Sequence, residues 1–305
     1  MNTSKAAGKA TQIVIRAGDG YALTAQLFEP CADSAPCIKR VVLVNSATGV
    51  PQGYYRAYAN YLRSQGFTVL TYDYRGIGLS KDPHWKGKPL SMTDWGRQDL
   101  DSIIVWLHQK FPQHRLLAVG HSVGGQLVGL SPNNHLLDGV LAIGSQAGYV
   151  GYWDGLERLK FKMFTYVVIP GVTRLVGDLP ASVLGSEPLP RGVARQWALW
   201  CRNPHYMVDK QGQPIREHFE QYSNHLRMIH FSDDSMYAPY KAVEALRSFY
   251  KNAQSEVLSR RPEDFGLKAI GHFGFFKRTM PESAWQETAE WLRQPYLSQD
   301  IKTVA

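Results

Sequence analysis

Val119-Gly120-His121-Ser122-Val123-Gly124-Gly125 is the stretch that decides the reading of this 305-residue chain. It is a G-x-S-x-G pattern directly after the apolar run Leu116–Val119. Glycines on either side of a serine let the backbone turn sharply from a strand into a helix, where a Cβ would collide with its neighbours. Such a turn lifts the Ser122 hydroxyl clear of the sheet. It also leaves the Val123 amide, at the start of the next helix, free to donate to an oxyanion. Leu116–Val119 therefore reads as a short buried strand and Gln126–Leu130 as a short helix stopped by Ser131-Pro132.

A serine hydroxyl needs a base to take its proton and a third group to orient that base. On the fold that uses this elbow, the order along the chain is Ser, then Asp or Glu, then His. Of the 10 histidines, only His272 lies near the C-terminal end. It sits between Gly271 and Gly274 just after the apolar pair Ala269-Ile270, as a loop at a strand end would. His121, beside the elbow serine, is expected to pack sideways. The acid should follow the preceding strand, Leu226–Phe231, in the turn Ser232-Asp233-Asp234-Ser235. One aspartate orients His272 while the other caps or braces the loop. Adjacent carboxylates repel, so the more buried one should hold the imidazole; Asp234 is the choice and Asp233 the alternative. A second oxyanion donor is expected from the loop after Arg40–Val44, where Ala47 has a side chain small enough for an acyl oxygen to approach its amide.

Together these residues resemble the α/β-hydrolase superfamily, and the resemblance runs from about residue 11 to 293. Asp73-Tyr74-Arg75-Gly76-Ile77-Gly78-Leu79-Ser80 is similar to the D-x-R-G-x-G-x-S turn of that superfamily, where Asp73 and Arg75 brace a glycine turn and perform no chemistry. Asn45–Val50, Gly120–Gly125, Ser232–Asp234 and Gly271–Phe276 resemble a group of bacterial α/β-hydrolases whose substrates are largely unassigned. The resemblance implies fold and triad, and no particular substrate.

The wider pattern is consistent with this. An N-terminal hairpin, Thr11–Arg16 and Tyr21–Phe28, precedes alternating strands and helices, which implies a mostly parallel central sheet flanked by helices. Gln52–Ser64, Asp94–Lys110, Tyr240–Tyr250 and Ser283–Leu292 read as helices, and Val69–Tyr72 and Val140–Ile143 as strands. Between Tyr149 and Asn203 the alternation fails, and aromatic, basic and proline residues crowd in. This predicts a cap insert (149–203) after the sixth strand, with Trp197 and Trp200 as candidate substrate walls. The catalytic core would then comprise 11–148 and 204–295, and 1–10 and 296–305 would be loosely held termini. Met163–Ile169 is strongly apolar, too short for a bilayer that needs about 20 residues, and expected to pack on the core.

Lys and Arg number 34 against 26 Asp and Glu, a net +8. The basic residues are scattered with no nucleic-acid recognition motif among them, so nucleic acid is not an expected partner. Three cysteines, Cys31, Cys37 and Cys201, form no disulfide framework, although Cys31 and Cys37 are close enough in sequence to bridge a surface loop. The polar N-terminus lacks the apolar core of a signal peptide and no transmembrane segment is found, so the expected location is cytoplasmic. No metal-ligand cluster or phosphate-cradling loop implies a cofactor. The expected activity is a serine esterase-type hydrolase that cleaves an ester, thioester or related acyl bond of a small molecule through an acyl-enzyme. An acyltransferase with the same triad, a serine peptidase and a non-catalytic binding protein on the same scaffold are the alternatives. Oligomeric state is left open.

Overall fold

Seven of the eight strands lie where the apolar runs place them. The computed structural model describes residues 10–30, 34–85, 87–184 and 187–294. The termini expected to be loose fall outside the described residues, Ala10 excepted, and so does Cys31, and with it the Cys31–Cys37 pairing. The strands are β1 Thr11–Arg16, β2 Ala22–Phe28, β3 Arg40–Asn45, β4 Thr68–Tyr72, β5 Arg115–His121, β6 Gly139–Ile143, β7 His225–Phe231 and β8 Gln254–Arg260. They form one sheet in the order β1-β2-β4-β3-β5-β6-β7-β8. β1–β2 and β2–β4 pair antiparallel, and every other pair is parallel.

The central strands are buried on both faces, which is why they read as continuous apolar runs with no alternation. Along β3, β5 and β6 successive side chains serve opposite layers. Leu43, Ala118 and Ala142 face one core with Ile103, Ile104, Val243 and Leu246, from helices Asp101–Lys110 and Tyr240–Arg247. Val42, Val119 and Ile143 face the other with Tyr58, Leu62, Trp285 and Ala289, from helices Arg56–Ser64 and Glu282–Arg293. A parallel sheet sandwiched in this way presents its catalytic loops at the C-terminal strand ends.

Sequence and structure differ over β8. Its residues alternate between exposed and half-buried positions and include Gln254, Glu256, Ser259 and Arg260, as suits an edge strand with one wet side. The apolar pair Ala269-Ile270, which suggested a strand end before His272, belongs instead to a loop nine residues beyond β8. Two helices also begin earlier or change pitch: the elbow helix starts at Val123, and Trp95–Leu100 winds as a π-helix ahead of Asp101–Lys110.

The turn after β4 is braced as expected. Asp73 Oδ1 accepts from the Gln52 amide at 2.7 Å, and Oδ2 from Gln52 Nε2 at 2.9 Å and the Leu79 amide at 3.0 Å. A Cβ on Gly78, which has φ 51°, would lie 2.5 Å from that carboxylate, so only glycine fits. Arg75 is buried between Asp99 (Nε to Oδ1, 2.7 Å) and Asp19 (Nη1 to Oδ2, 2.7 Å). Removing one partner of a buried pair strands the other charge. Asp99→Ala is therefore expected to lower the free energy of unfolding by about 3–5 kcal/mol, measured as a shifted urea midpoint at unchanged m-value.

Candidate active site

Backbone packing at the end of β5 shapes the elbow. Ser122 has φ 53° and ψ −118°, a region that non-glycine residues rarely enter. Its amide donates to the Ile143 carbonyl at 2.9 Å, fastening the turn to β6. A Cβ on Gly120 would lie 2.4 Å from the Gly125 amide nitrogen, one on Gly124 2.3 Å from the Asn45 carbonyl oxygen, and one on Gly125 2.2 Å from Ser145 Oγ. None of the three has room for a side chain. Val123 opens helix Val123–Gln126, where first-turn amides lack intrahelical partners.

Both aspartates after β7 are engaged, with different atoms of the same loop. Asp234 Oδ2 accepts from His272 Nδ1 at 2.6 Å, and the two side chains are 1 % and 3 % exposed. Asp233 Oδ2 accepts from the amides of Ile270 at 2.8 Å and Gly271 at 2.9 Å, so it holds the backbone that presents His272. Gly144, at φ 58°, lies beneath the pair, where a Cβ would be 3.4 Å from the imidazole. Tyr237 stacks on the imidazole at 4.8 Å between centroids with 21° between planes. With Nδ1 donating to a carboxylate, Nε2 of a neutral His272 is left as the acceptor. The Ser122 hydroxyl makes no hydrogen bond with the described residues, and Ser122 is 8 % exposed.

Ala47 requires correction. Its amide, expected to face an oxyanion, donates to the Tyr55 hydroxyl at 2.8 Å, and an amide has one hydrogen to give. Tyr55 was not foreseen. Its hydroxyl also meets His121 Nδ1 at 2.9 Å, and His121 Nε2 meets the His272 carbonyl oxygen at 2.8 Å. The carbonyl can only accept, so Nε2 of His121 carries the proton. Burial holds the His121 pKa at about 3, against an ordinary 6.5, so the ring is neutral. Nδ1 must then accept, and Tyr55 donates to it. One chain of bonds thus links the loop after β3, the elbow and the backbone of His272. Tyr54, next in sequence, adds a bond from its hydroxyl to the Phe273 carbonyl. Only the aromatic pair in Gln52-Gly53-Tyr54-Tyr55 signalled this in the sequence, and such pairs are usually plain core.

Between residues 149 and 203 the described residues include the helices Gly155–Met163, a π turn Phe164–Val168, Ile169–Leu175 and Arg191–Arg202. Trp197 packs near Phe161 and Phe164. Trp200 does not serve as a wall. It is fully buried, and its indole donates to the Val208 carbonyl at 2.8 Å. Trp153 packs on Phe161 at 4.5 Å and donates to the Met236 carbonyl at 2.9 Å, joining this segment to the loop of Asp234. A cleft of about 980 Å³ between Trp85, Lys88, Arg191 and Arg195 is lined by none of Ser122, Asp234 and His272.

Comparison with known proteins agrees with this fold. A family model described as alpha/beta hydrolase fold matches residues 39–154. Similar solved structures include a soluble variant of monoglyceride lipase from Saccharomyces cerevisiae in complex with a substrate analog. It is 14% identical with TM-score 0.63, over 98% of this chain and 100% of that one. An esterase from Exiguobacterium antarcticum is 15% identical with TM-score 0.60, over 93% and 100%. Est1E from Butyrivibrio proteoclasticus, with ferulic acid bound, is 15% identical with TM-score 0.57, over 92% and 97%. No curated protein matches by sequence.

The buried neutral His121 gives a pH signature. Below pH 6.5 the unfolded chain takes up a proton at this ring and the folded chain does not, until about pH 3. The stability gained by keeping the ring neutral is complete above 6.5 and is lost as pH falls, by about 1.4 kcal/mol per pH unit. Replacing His121 by Asn removes that titration. Urea unfolding from pH 6 to 4 is expected to show a shallower loss of stability in the variant than in the wild type by about that slope.

Proposed function

We propose that this chain, whose fold is the α/β-hydrolase fold, is a serine hydrolase acting on an ester, thioester or related acyl bond of a small molecule. The observation that carries this reading is the buried 2.6 Å bond from His272 Nδ1 to Asp234, set on the loops beside an elbow whose serine has φ 53°. Ser122 Oγ attacks the acyl carbon while His272 Nε2 takes its proton, and Asp234 stabilises the imidazolium that forms. The Val123 amide donates to the oxyanion. The same proton then passes to the departing alcohol or thiol, leaving the acyl group on Ser122. A water gives its proton to Nε2 as it attacks the ester, and collapse of that intermediate returns the proton to Ser122 Oγ and frees the acid. The absence of a Ser122–His272 bond fits a free site, since nucleophile–base contacts are often long until substrate binds. Segment 149–203 is proposed as the cap, on the evidence of the Trp153–Met236 contact that joins it to the catalytic loop.

Fluorophosphonate labelling is expected at Ser122 alone. Ser122→Ala should abolish both labelling and turnover of an activated ester, with an unchanged unfolding curve. Labelling elsewhere, or persistent turnover, would defeat the proposal.

The two aspartates are expected to separate. Asp234→Asn leaves the imidazole in the wrong tautomer and should lower kcat by about 10³–10⁴-fold. Asp233→Asn only loosens the Ile270–Gly271 anchor and should cost about tenfold or less. Steady-state kinetics of both variants decides, and equal small losses would remove the triad acid from this turn.

A further inference from the structure

Helix Gly155–Met163 and its continuation to Leu175 have an apolar inner face, through Phe161, Phe164, Thr165 and Ile169. A surface helix normally turns polar residues outward. Here Leu156, Leu159, Met163, Tyr166 and Val167, spaced three or four apart along one side, are each between 50% and 61% exposed, and Leu175 at the end is 85% exposed. The apolar run Met163–Ile169 reads in the sequence as a segment packed on the core. Thr165 and Ile169 do so, while Met163, Tyr166 and Val167 face outward.

The charges around the stripe are mostly basic, with Glu157 an exposed acid in its first turn. Lys160, Lys162 and Arg174 are exposed on the same helix, and Arg195 and Arg202 flank it from helix Arg191–Arg202. The Arg202 guanidinium lies over the Tyr166 ring at 4.8 Å. Between residues 155 and 202 there are seven basic side chains and three acidic ones. We propose that this face docks the protein on a bilayer bearing anionic headgroups, with Leu159, Met163 and Val167 entering the headgroup–acyl boundary and the lysines and arginines meeting lipid phosphates.

An outward apolar stripe with Lys and Arg beside it is the pattern of an interfacial helix, whose long basic side chains reach back to the headgroups. Two copies of this face brought together would oppose their basic side chains, which disfavours a self-interface. The helix that carries the stripe also reaches the loop of Asp234 from its inner face: Phe161 packs on Trp153, which donates to the Met236 carbonyl, and Met236 is itself 61% exposed. Docking there would bring the loop of Asp234 to the lipid surface. Among the described residues no helix is long and apolar enough to cross a membrane, so the contact is a surface one.

The test is vesicle co-sedimentation of the full chain carrying Ser122→Ala, so that binding is read without turnover and independently of the proposed chemistry. Vesicles of phosphatidylcholine alone are compared with vesicles containing phosphatidylglycerol. Binding is expected only with phosphatidylglycerol, weakening when ionic strength rises to about 0.5 M. A Leu159→Ser, Met163→Ser, Val167→Ser triple variant should partition about tenfold more weakly or worse. The same triple variant should unfold in urea with the midpoint and m-value of its parent, which shows that it folds. Lys160→Glu with Lys162→Glu provides a second variant, expected to lose binding with the apolar stripe intact. No binding to either vesicle, equal binding to both, or undiminished binding by the variants would overturn the proposal. A concentration-dependent dimer in sedimentation velocity, abolished by the triple change, would overturn it in favour of a second copy of the chain as occupant.

Discussion

Everything at the candidate site depends on how closely the backbone of the elbow packs against its neighbours. Gly120, Gly124 and Gly125 bring the turn within van der Waals contact of itself, of the Asn45 carbonyl and of Ser145. Only with those side chains absent can Ser122 adopt φ 53° and ψ −118°. Strain of this kind costs about 1–3 kcal/mol. It is offset by the surrounding packing, in which Val119 of β5 and Val123 and Leu127 of the following helical turns are buried and the Ser122 amide is bonded to β6. A serine held at such a corner cannot relax into the helix, so its hydroxyl stays directed away from the sheet.

The opposite side of the site is organised by a division of labour between two neighbouring carboxylates. Asp234 bonds the imidazole and Asp233 the amides at 270 and 271, so each takes up donors that would otherwise face it unpaired. Ring and backbone of the same loop are thereby positioned by one turn. A second restraint reaches this loop from the far side of β5, where His121 donates to the His272 carbonyl. That restraint depends on His121 being neutral, because Tyr55 must donate to its Nδ1 while the Ala47 amide donates to Tyr55. The proton count closes only this way, and burial, which disfavours the imidazolium, is what enforces it.

The parts legible in the sequence were those whose physics is local. β3, β5, β6 and β7 are short apolar runs because both of their faces are covered, and the elbow glycines are visible because their spacing is itself the constraint. For Asp234 against Asp233 the sequence offers only repulsion between adjacent carboxylates and the expected burial of one of them. The parts that were not legible depend on contacts distant in sequence. Tyr55 and His121 are 66 residues apart and His121 and His272 are 151 apart, and no periodicity encodes such pairings. The small side chain of Ala47 is visible in the sequence, yet the Tyr55 hydroxyl is what its amide bonds. β8 escaped notice because a strand with one wet side carries polar residues that a reading by apolar runs discards.

The segment from 149 to 203 shows how the same residues can serve packing and surface together. Its aromatics divide by depth: Trp200 is sealed against Val208 and Tyr206, Trp197 is half-buried near Phe161, and Tyr166 faces out beneath Arg202. Hydrophobicity summed along the sequence cannot separate these roles, because an inward and an outward apolar residue count alike. Depth separates them, and depth is set by which turn of the helix meets Trp153. Since Trp153 also supplies the hydrogen bond to the Met236 carbonyl, the packing that sorts this helix into inner and outer faces is continuous with the packing that carries the turn of Asp234. A change that displaces Phe161 would withdraw support from Trp153 and so be felt at that turn, with no contact between Phe161 and the Asp234–His272 pair required.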